Sequence, residues 1–165
     1  TMNTTRFRSR KSKWVLAAIL LLSVGAFGAC STVREHVRTY KQLKAYAKEV
    51  GDERDLSPQR MSENGLYRAT ILPQTDPVPL NKLHTWTLHV ETPDSTTVDV
   101  ATIAVDGGMP EHGHGLPTKP RVTQALGGGD FLVEGMKFQM PGWWVVEFAI
   151  SSPRGTDTVT FNLML

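Results

Sequence analysis

The hydrophobic pattern takes three successive forms along the chain. Trp14 to Ala29 is an uninterrupted run of apolar and small residues. From Ser31 onward apolar residues recur at helical spacing, and after Gly65 they come in short runs that alternate with polar residues. These periods predict a signal peptide or membrane anchor over residues 1–29, a helical stalk and linker over 30–64, and an all-β domain over 65–165.

The stalk is predicted to be an amphipathic helix over residues 33–50. Thr32 and Glu35 have the spacing of a capping box, and Gly51 stands where a left-handed C-cap is expected. The apolar stripe is narrow and consists of Val33, Val37, Tyr40, Ala47 and Val50. A narrow stripe favours a spacer packed loosely on the domain over a coiled-coil seam. Residues 52–64 are charged, contain Ser57-Pro58, and are predicted to be a linker.

The domain is predicted to be an immunoglobulin-like antiparallel sandwich of about seven strands, because short β-rich runs alternate with turn residues. Trp86, Leu88 and Val90 supply one inward face, since every second residue of a strand points the same way. Large aromatic residues must carry the core because the chain lacks a cysteine pair. The strands are predicted near residues 65–72, 84–91, 97–106, 121–126, 130–137, 143–151 and 157–164.

The segment from Gly107 to Pro120 concentrates unusual chemistry. It holds four glycines and three prolines, which is unlike a helix or a central strand and predicts a loop. His112 and His114 stand in it one residue apart, with Met109 just before them. Imidazole and thioether together suit Cu(I) better than hard cations. The alternative is a shaped turn whose histidines make ordinary surface hydrogen bonds.

Strand order predicts which other ligands reach the same end of the sandwich. If each connection crosses to the neighbouring strand end, the turn at 138–142 lies beside the Gly107–Pro120 loop. That brings Met140 close to the loop, with Met136 just below it and His84 at the start of a strand. The predicted metal ligands are therefore Met109, His112, His114 and Met140, with Met136 or His84 in reserve. The alternative for the methionines is a gap-filling role in the core.

Targeting explains the charge of the chain. Five of its 18 Lys+Arg lie in the first thirteen residues without an acid, so 13 remain against 16 Asp+Glu and the exported part is acidic. The basic start is therefore an orientation signal, and no nucleic-acid partner is predicted. The only cysteine, Cys30, follows the apolar run within Phe27-Gly28-Ala29-Cys30-Ser31.

This surrounding of Cys30 resembles a bacterial lipoprotein box, except that Phe27 stands where Leu, Val or Ile is usual. The resemblance implies cleavage before Cys30 and a lipid on its sulfur, and Ser31 resembles the sorting pattern for the outer membrane. An uncleaved anchor and ordinary cleavage after Gly28 are the alternatives. With either the lipid on Cys30 or the uncleaved apolar segment as the anchor, the domain lies in the cell envelope, facing the periplasm or the exterior.

Two motifs follow one another in the domain. They are Gly108-Met109-Pro110-x-His112-Gly113-His114-Gly115-Leu116-Pro117-Thr118-x-Pro120-x-Val122-Thr123 and Gly135-Met136-x-Phe138-x-Met140-x-Gly142-x-Trp144. In these motifs the domain resembles the YtkA-like/FixH family of exported β-sandwich proteins over roughly residues 80–150. The resemblance implies an immunoglobulin-like fold, a non-enzymatic role, and a possible copper connection, since the FixH branch is associated with copper delivery or assembly for terminal oxidases.

The leading hypothesis is a membrane-anchored envelope protein that holds or passes Cu(I) to a protein partner. The second hypothesis is a structural or partner-binding module in which the Gly/Pro loop is a rigid recognition surface. An enzyme is not expected, because the sequence contains no GxSxG elbow, no HExxH and no phosphate-cradling glycine loop. Asp106 and Glu111 flank the histidines without specifying a hydrolytic metal site.

Overall fold

The computed structural model describes residues 54–165. The predicted signal or anchor, Cys30 and the predicted helix over 33–50 lie outside these residues. The described part is all-β and contains no helix. Its nine strands are β1 Gln59–Met61, β2 Arg68–Pro73, β3 His84–Glu91, β4 Thr102–Met109, β5 His114–Gly115, β6 Arg121–Gly127, β7 Asp130–Met136, β8 Trp143–Ser152 and β9 Gly155–Met164.

The strands form two antiparallel sheets that pack face to face. One sheet has the order β1-β2-β3-β7-β6, and the other has the order β5-β4-β8-β9. A single core cluster draws side chains from both sheets. This confirms the predicted all-β antiparallel sandwich.

The core follows the predicted alternation in β3. Trp86, Leu88 and Val90 are fully buried, while the residues between them are half-buried. In β8 the inward residues Trp144, Val146, Phe148 and Ile150 are also fully buried. Phe148 meets Phe161 of β9 edge to face, with ring centroids 5.8 Å apart. Such aromatic pairs help to hold a sandwich that has no disulfide.

Two strands were not expected and one is displaced. β1 lies within residues 52–64, which the sequence predicts as a linker, and it pairs with β2. β5 lies inside the predicted loop. The strand predicted over 97–106 instead spans Thr102–Met109, so Gly107 and Gly108 lie within β4. The expectation that these glycines exclude a central strand was therefore wrong. Within residues 54–165, no helix is long and apolar enough to cross a membrane.

Candidate functional site

The histidine loop is a short hairpin. Met109, the last residue of β4, is paired with His114, the first residue of β5. Between them the chain turns tightly, because the carbonyl of Met109 accepts hydrogen bonds from the N–H groups of His112 at 3.1 Å and Gly113 at 2.9 Å. Gly113 has φ +70°, a conformation that favours glycine. Directly opposite residues share a face of the sheet, so the pairing brings Met109 and His114 together.

Gly107 explains how this hairpin reaches the neighbouring strand. A Cβ at position 107 would collide with the backbone carbonyl oxygen of Val145 in β8. β4 and β8 therefore approach closely where only glycine fits. Further along, the methyl group of Met109 would lie 2.8 Å from a Cβ built on Gly142. Glycine at 142 thus makes room for the Met109 side chain beneath the turn before β8.

His84 and Met136 form a second pair at the same end, where β3 meets β7. The β3–β7 register shifts between His84 and Trp86, because β7 holds one extra residue there. Gly135 lies in this β-bulge with φ +84°. The extra residue returns Met136 to the inner face that Val133 also occupies, and both side chains are fully buried. Strict alternation would have placed Met136 on the opposite face from Val133.

A series of ring contacts connects the two pairs across the sandwich. The rings of His112 and His114 are 5.9 Å apart, and His114 meets Trp144 edge to face at 5.5 Å. Trp144 contacts Phe138 at 5.1 Å, and Phe138 contacts His84 at 5.6 Å. We call the end of the sandwich that carries these rings and the methionines the Met/His pole. It comprises His84, Trp86, Met109, His112, His114, Met136, Phe138, Gln139, Met140 and Trp144.

The two partly buried histidines of the Met/His pole, His84 and His114, both make their hydrogen-bond contacts through Nδ1. Nδ1 of His84 lies 3.1 Å from the carbonyl oxygen of Lys82. A carbonyl can only accept, so this contact requires a proton on Nδ1, and the neutral form of the ring then has its lone pair on Nε2. Nε2 of His84 is buried and has no hydrogen-bond partner among the described residues. A backbone carbonyl on one ring nitrogen and a lone pair on the other is the arrangement found in metal-ligating histidines.

His114 is held through the same nitrogen. Its Nδ1 lies 3.1 Å from the side-chain amide nitrogen of Gln139 and 3.2 Å from the carbonyl oxygen of Gly115. The amide nitrogen donates and the carbonyl accepts, so each tautomer of His114 makes one of these two hydrogen bonds. These contacts leave Nε2 as the ring nitrogen that none of them uses. His112 is exposed and lies beside it on the turn. The two loop imidazoles therefore stand side by side, one anchored and one open to solvent.

The methionines are less informative than the histidines. Met109 and Met136 are fully buried in the main core, and Met140 packs against it in a partly buried position. Its carbonyl accepts a hydrogen bond of 3.1 Å from the indole N–H of Trp144. These positions are the ones that a gap-filling role also requires. Met109, Met136 and Met140 nonetheless lie at the same end of the fold as His84, His112 and His114.

The acidic residues beside the loop do not complete a ligand cluster. Glu111 pairs with Arg54 at 3.0 Å. Burial raises the pKa of Asp106, while a hydrogen bond from the N–H of Gly107 at 2.7 Å opposes that rise. Within residues 54–165, no three His, Cys, Asp or Glu side chains form a group that could hold a metal ion.

Sequence reasoning missed Phe138, Gln139 and Trp144 as parts of this pole. Phe138 lies in the turn before β8, and Trp144 was taken as an ordinary core residue. Their signal in the sequence was the dense series of methionine and aromatic residues from Met136 to Trp144. His89 lies towards the other end of β3, where its Nδ1 is 2.7 Å from a carboxylate oxygen of Asp130.

Comparison with known proteins identifies the class of this sandwich. The YtkA-like family model matches residues 67–149, half of the chain. The chain therefore belongs to the YtkA-like family. The match runs from the start of β2 into β8 and includes every residue of the Met/His pole. No curated protein and no solved structure matches the chain.

Proposed function

We propose that this protein is a membrane-anchored protein of the cell envelope whose Met/His pole binds copper as Cu(I). The supporting observation is the pairing of an imidazole with a thioether residue at two places on one end of the fold, His114 with Met109 and His84 with Met136. Imidazole and thioether ligands together suit Cu(I).

The primary ligands in this proposal are Met109, His112 and His114, with Met140 beside them. His112 is exposed and is the side chain that would first meet an incoming ion. In the tautomer whose Nε2 can bind a metal ion, Nδ1–H of His114 donates to the carbonyl of Gly115, and this hydrogen bond lowers the cost of ordering the ring on binding. The pair His84 and Met136 is the reserve site, because Nε2 of His84 is already buried with its lone pair available.

The anchor belongs to the same proposal. Cys30 carries a lipid, or the apolar run over residues 14–29 is retained, and either holds the domain on the outer side of the cytoplasmic membrane or at the outer membrane. A carrier there would pass its ion to a protein partner in copper handling, as the FixH branch of the family suggests. Mass spectrometry of the purified chain tests the lipid, which a Cys30→Ser variant would lack.

The copper proposal is tested by titrating the full chain in detergent with Cu(I), under reducing conditions and against a competing chelator. We expect one equivalent of Cu(I) to bind. Titrations with Zn(II) and Cu(II) serve as controls. The double variant H112A/H114A should lose more than about 100-fold in affinity, because even residues that only support a ligand contribute roughly 10–100-fold.

The matched control is H36A/H89A, which removes the same number of imidazoles outside the pole. It should bind Cu(I) as tightly as the unaltered chain. Equal affinity of H112A/H114A and the unaltered chain would show that the site is assigned to the wrong residues.

The second candidate function is a partner-binding module without metal. It is supported by the full burial of Met109 and Met136 and by the exposed turn residues Glu111, His112 and Gly113. In that case the hairpin is a rigid recognition surface and the methionines are packing residues. No Cu(I) binding above that of an unrelated protein would favour this function.

A further inference from the structure

The outer face of the β8–β9 pair is buried although it points away from the sandwich core. Along β8, Val145, Glu147 and Ala149 point outward and are fully buried, as is Trp143 apart from 3% of its surface. Their neighbours on β9 are Asn162, Thr160 and Thr158, which are buried as well. The outer face of an antiparallel sheet usually meets water. We call these seven residues the outer β8–β9 face, and its burial means that protein covers it.

The start of the described chain already lies on this face. The guanidinium of Arg54 sits 4.1 Å above the ring of Trp143. The carbonyl of Asp55 accepts a hydrogen bond of 3.2 Å from the side-chain amide of Asn162. Asn162 in turn accepts one of 3.0 Å from the indole N–H of Trp143. The described part of the chain therefore begins on the outer β8–β9 face.

The chemistry of the face favours a basic, amphipathic cover. Its side chains are small or apolar around one acid, Glu147, which accepts a hydrogen bond of 3.3 Å from Thr160. Asp106 of β4 lies directly opposite Glu147, at the exposed border of the face, and is a second carboxylate there. Carboxylates facing each other on a sheet repel, so a cationic cover stabilises them. The predicted stalk carries the required cations, Arg34, Arg38, Lys41, Lys44 and Lys48, against only Glu35 and Glu49.

We propose that residues 33–50 of this chain pack as a helix along the outer β8–β9 face. Their apolar stripe would lie on Val145 and Ala149, and their basic residues would stand over Glu147 and Asp106. The dimensions agree, because an 18-residue helix spans about 27 Å and ten-residue β8 spans about 33 Å. The stalk is then part of the domain, so the Met/His pole is held at a defined distance from the membrane.

Thiol labelling of the full chain in detergent tests this proposal. Cys30→Ser removes the only native thiol, and V145C or V146C then places one thiol on the outer or the inner face of β8. Both thiols should react slowly in the otherwise unaltered chain. The stripe variant V37D/Y40D should speed labelling of V145C on the order of tenfold, because the cover opens locally, while V146C stays protected.

The matched control is Q42D/A45D, which adds the same two charges at the same spacing on the opposite side of the predicted helix and should leave both rates unchanged. Exposed Leu126 provides the fast reference as L126C. The proposal would be overturned if V145C reacted as fast as L126C in the chain without V37D/Y40D. It would also be overturned if V37D/Y40D and Q42D/A45D accelerated labelling of V145C equally.

Two further outcomes are covered by the same design. If V37D/Y40D exposes V146C too, the domain has unfolded, and the milder V37S/Y40S must then release V145C alone. A different result would contradict the proposal. If neither stripe variant changed the labelling rate of V145C, and diluting the protein raised that rate, a second copy of the chain would be covering the face.

Discussion

At the end of the sandwich opposite the Met/His pole, the carboxylate of Asp157 accepts hydrogen bonds from the backbone N–H groups of Asn64, Leu66 and Thr158. At the pole itself, the buried atoms Nε2 of His84, Nε1 of Trp86 and Oε1 of Gln139 have no hydrogen-bond partner within residues 54–165. Buried polar groups in native proteins are almost always paired. The two ends therefore differ in how far their polar groups are satisfied within the described residues: the carboxylate of Asp157 is fully engaged, whereas three buried polar atoms of the pole have no partner there.

Further contacts at the Asp157 end have the same character. The hydroxyl of Tyr67 donates to the carbonyl of Gly155 at 2.5 Å and lies 2.8 Å from the hydroxyl of Ser152. The hydroxyl of Ser62 accepts from the N–H of Tyr67 at 2.9 Å. These bonds connect the β1–β2 turn of one sheet to the β8–β9 turn of the other. The network therefore closes the sandwich at this end.

The largest expected effect is on stability, from Asp157→Ala. Three backbone N–H groups would lose their acceptor, and each buried donor left unpaired costs about 1–3 kcal/mol. We expect the free energy of unfolding to fall by about 3 kcal/mol, measured by urea denaturation of the full chain in detergent. Exposed Glu134 provides the control, since E134A should change stability by less than about 0.5 kcal/mol. A loss for D157A no larger than that of E134A would contradict the assigned role of this end.

The second prediction separates the two ends by pH. Burial alone would raise the pKa of Asp157, but hydrogen bonds from Ser62, Thr158, Leu66 and Asn64 outweigh it and hold the pKa below its usual value. Its stabilisation is therefore complete above the unfolded pKa of about 3.9 and is lost as the pH falls through the lower folded value. Copper binding needs neutral imidazoles and should weaken below about pH 6.

Between about pH 6 and pH 4 the protein should therefore release Cu(I) while it remains folded. Chelator competition follows the copper, and near-ultraviolet circular dichroism follows the aromatic core over the same pH series. If Cu(I) release and unfolding of the domain occurred at the same pH, the Met/His pole and the Asp157 end would not respond to pH independently.

The smallest expected effect compares two fully buried tryptophans at the pole. The indole N–H of Trp144 donates to the carbonyl of Met140 at 3.1 Å, whereas that of Trp86 has no partner among the described residues. Replacing either by Phe leaves a similar cavity, but only W144F also loses a hydrogen bond. We expect W144F to be less stable than W86F by about 1 kcal/mol, measured by the same urea denaturation. If W86F were the less stable of the two variants, the indole N–H of Trp86 would have a hydrogen-bond partner in the unaltered protein.

The alternation of residues was sufficient to predict most of the sandwich. The alternation of Trp86, Leu88 and Val90 with polar residues predicts β3, and the same two-residue period predicts β8. This works because side-chain direction in a strand depends on the local backbone alone. The error at β4 came from treating glycine as a strand breaker. Gly107 is required there by the close approach of β8, a long-range contact that no local pattern encodes.

The candidate site was predicted in part. Reasoning from strand order placed His84, Met109, His114, Met136 and Met140 at one end, and the structure has them at that end. It assumed strands without bulges, yet the bulge at Gly135 is what keeps Met136 on the inner face. Phe138 and Trp144 belong to the family motif but were not predicted as parts of the pole, because their role there depends on contact between the two sheets.

The sequence by itself determined the periodicity of the strands, the family motif and the supply of imidazole and thioether side chains near one loop. Tertiary structure alone decided that Met109 faces His114, that His84 faces Met136, and that rings connect the two pairs. The physical reason is that strand pairing, bulges and close backbone approaches are set by contacts between residues distant in the chain, while hydrophobic periodicity reports only the local direction of each side chain.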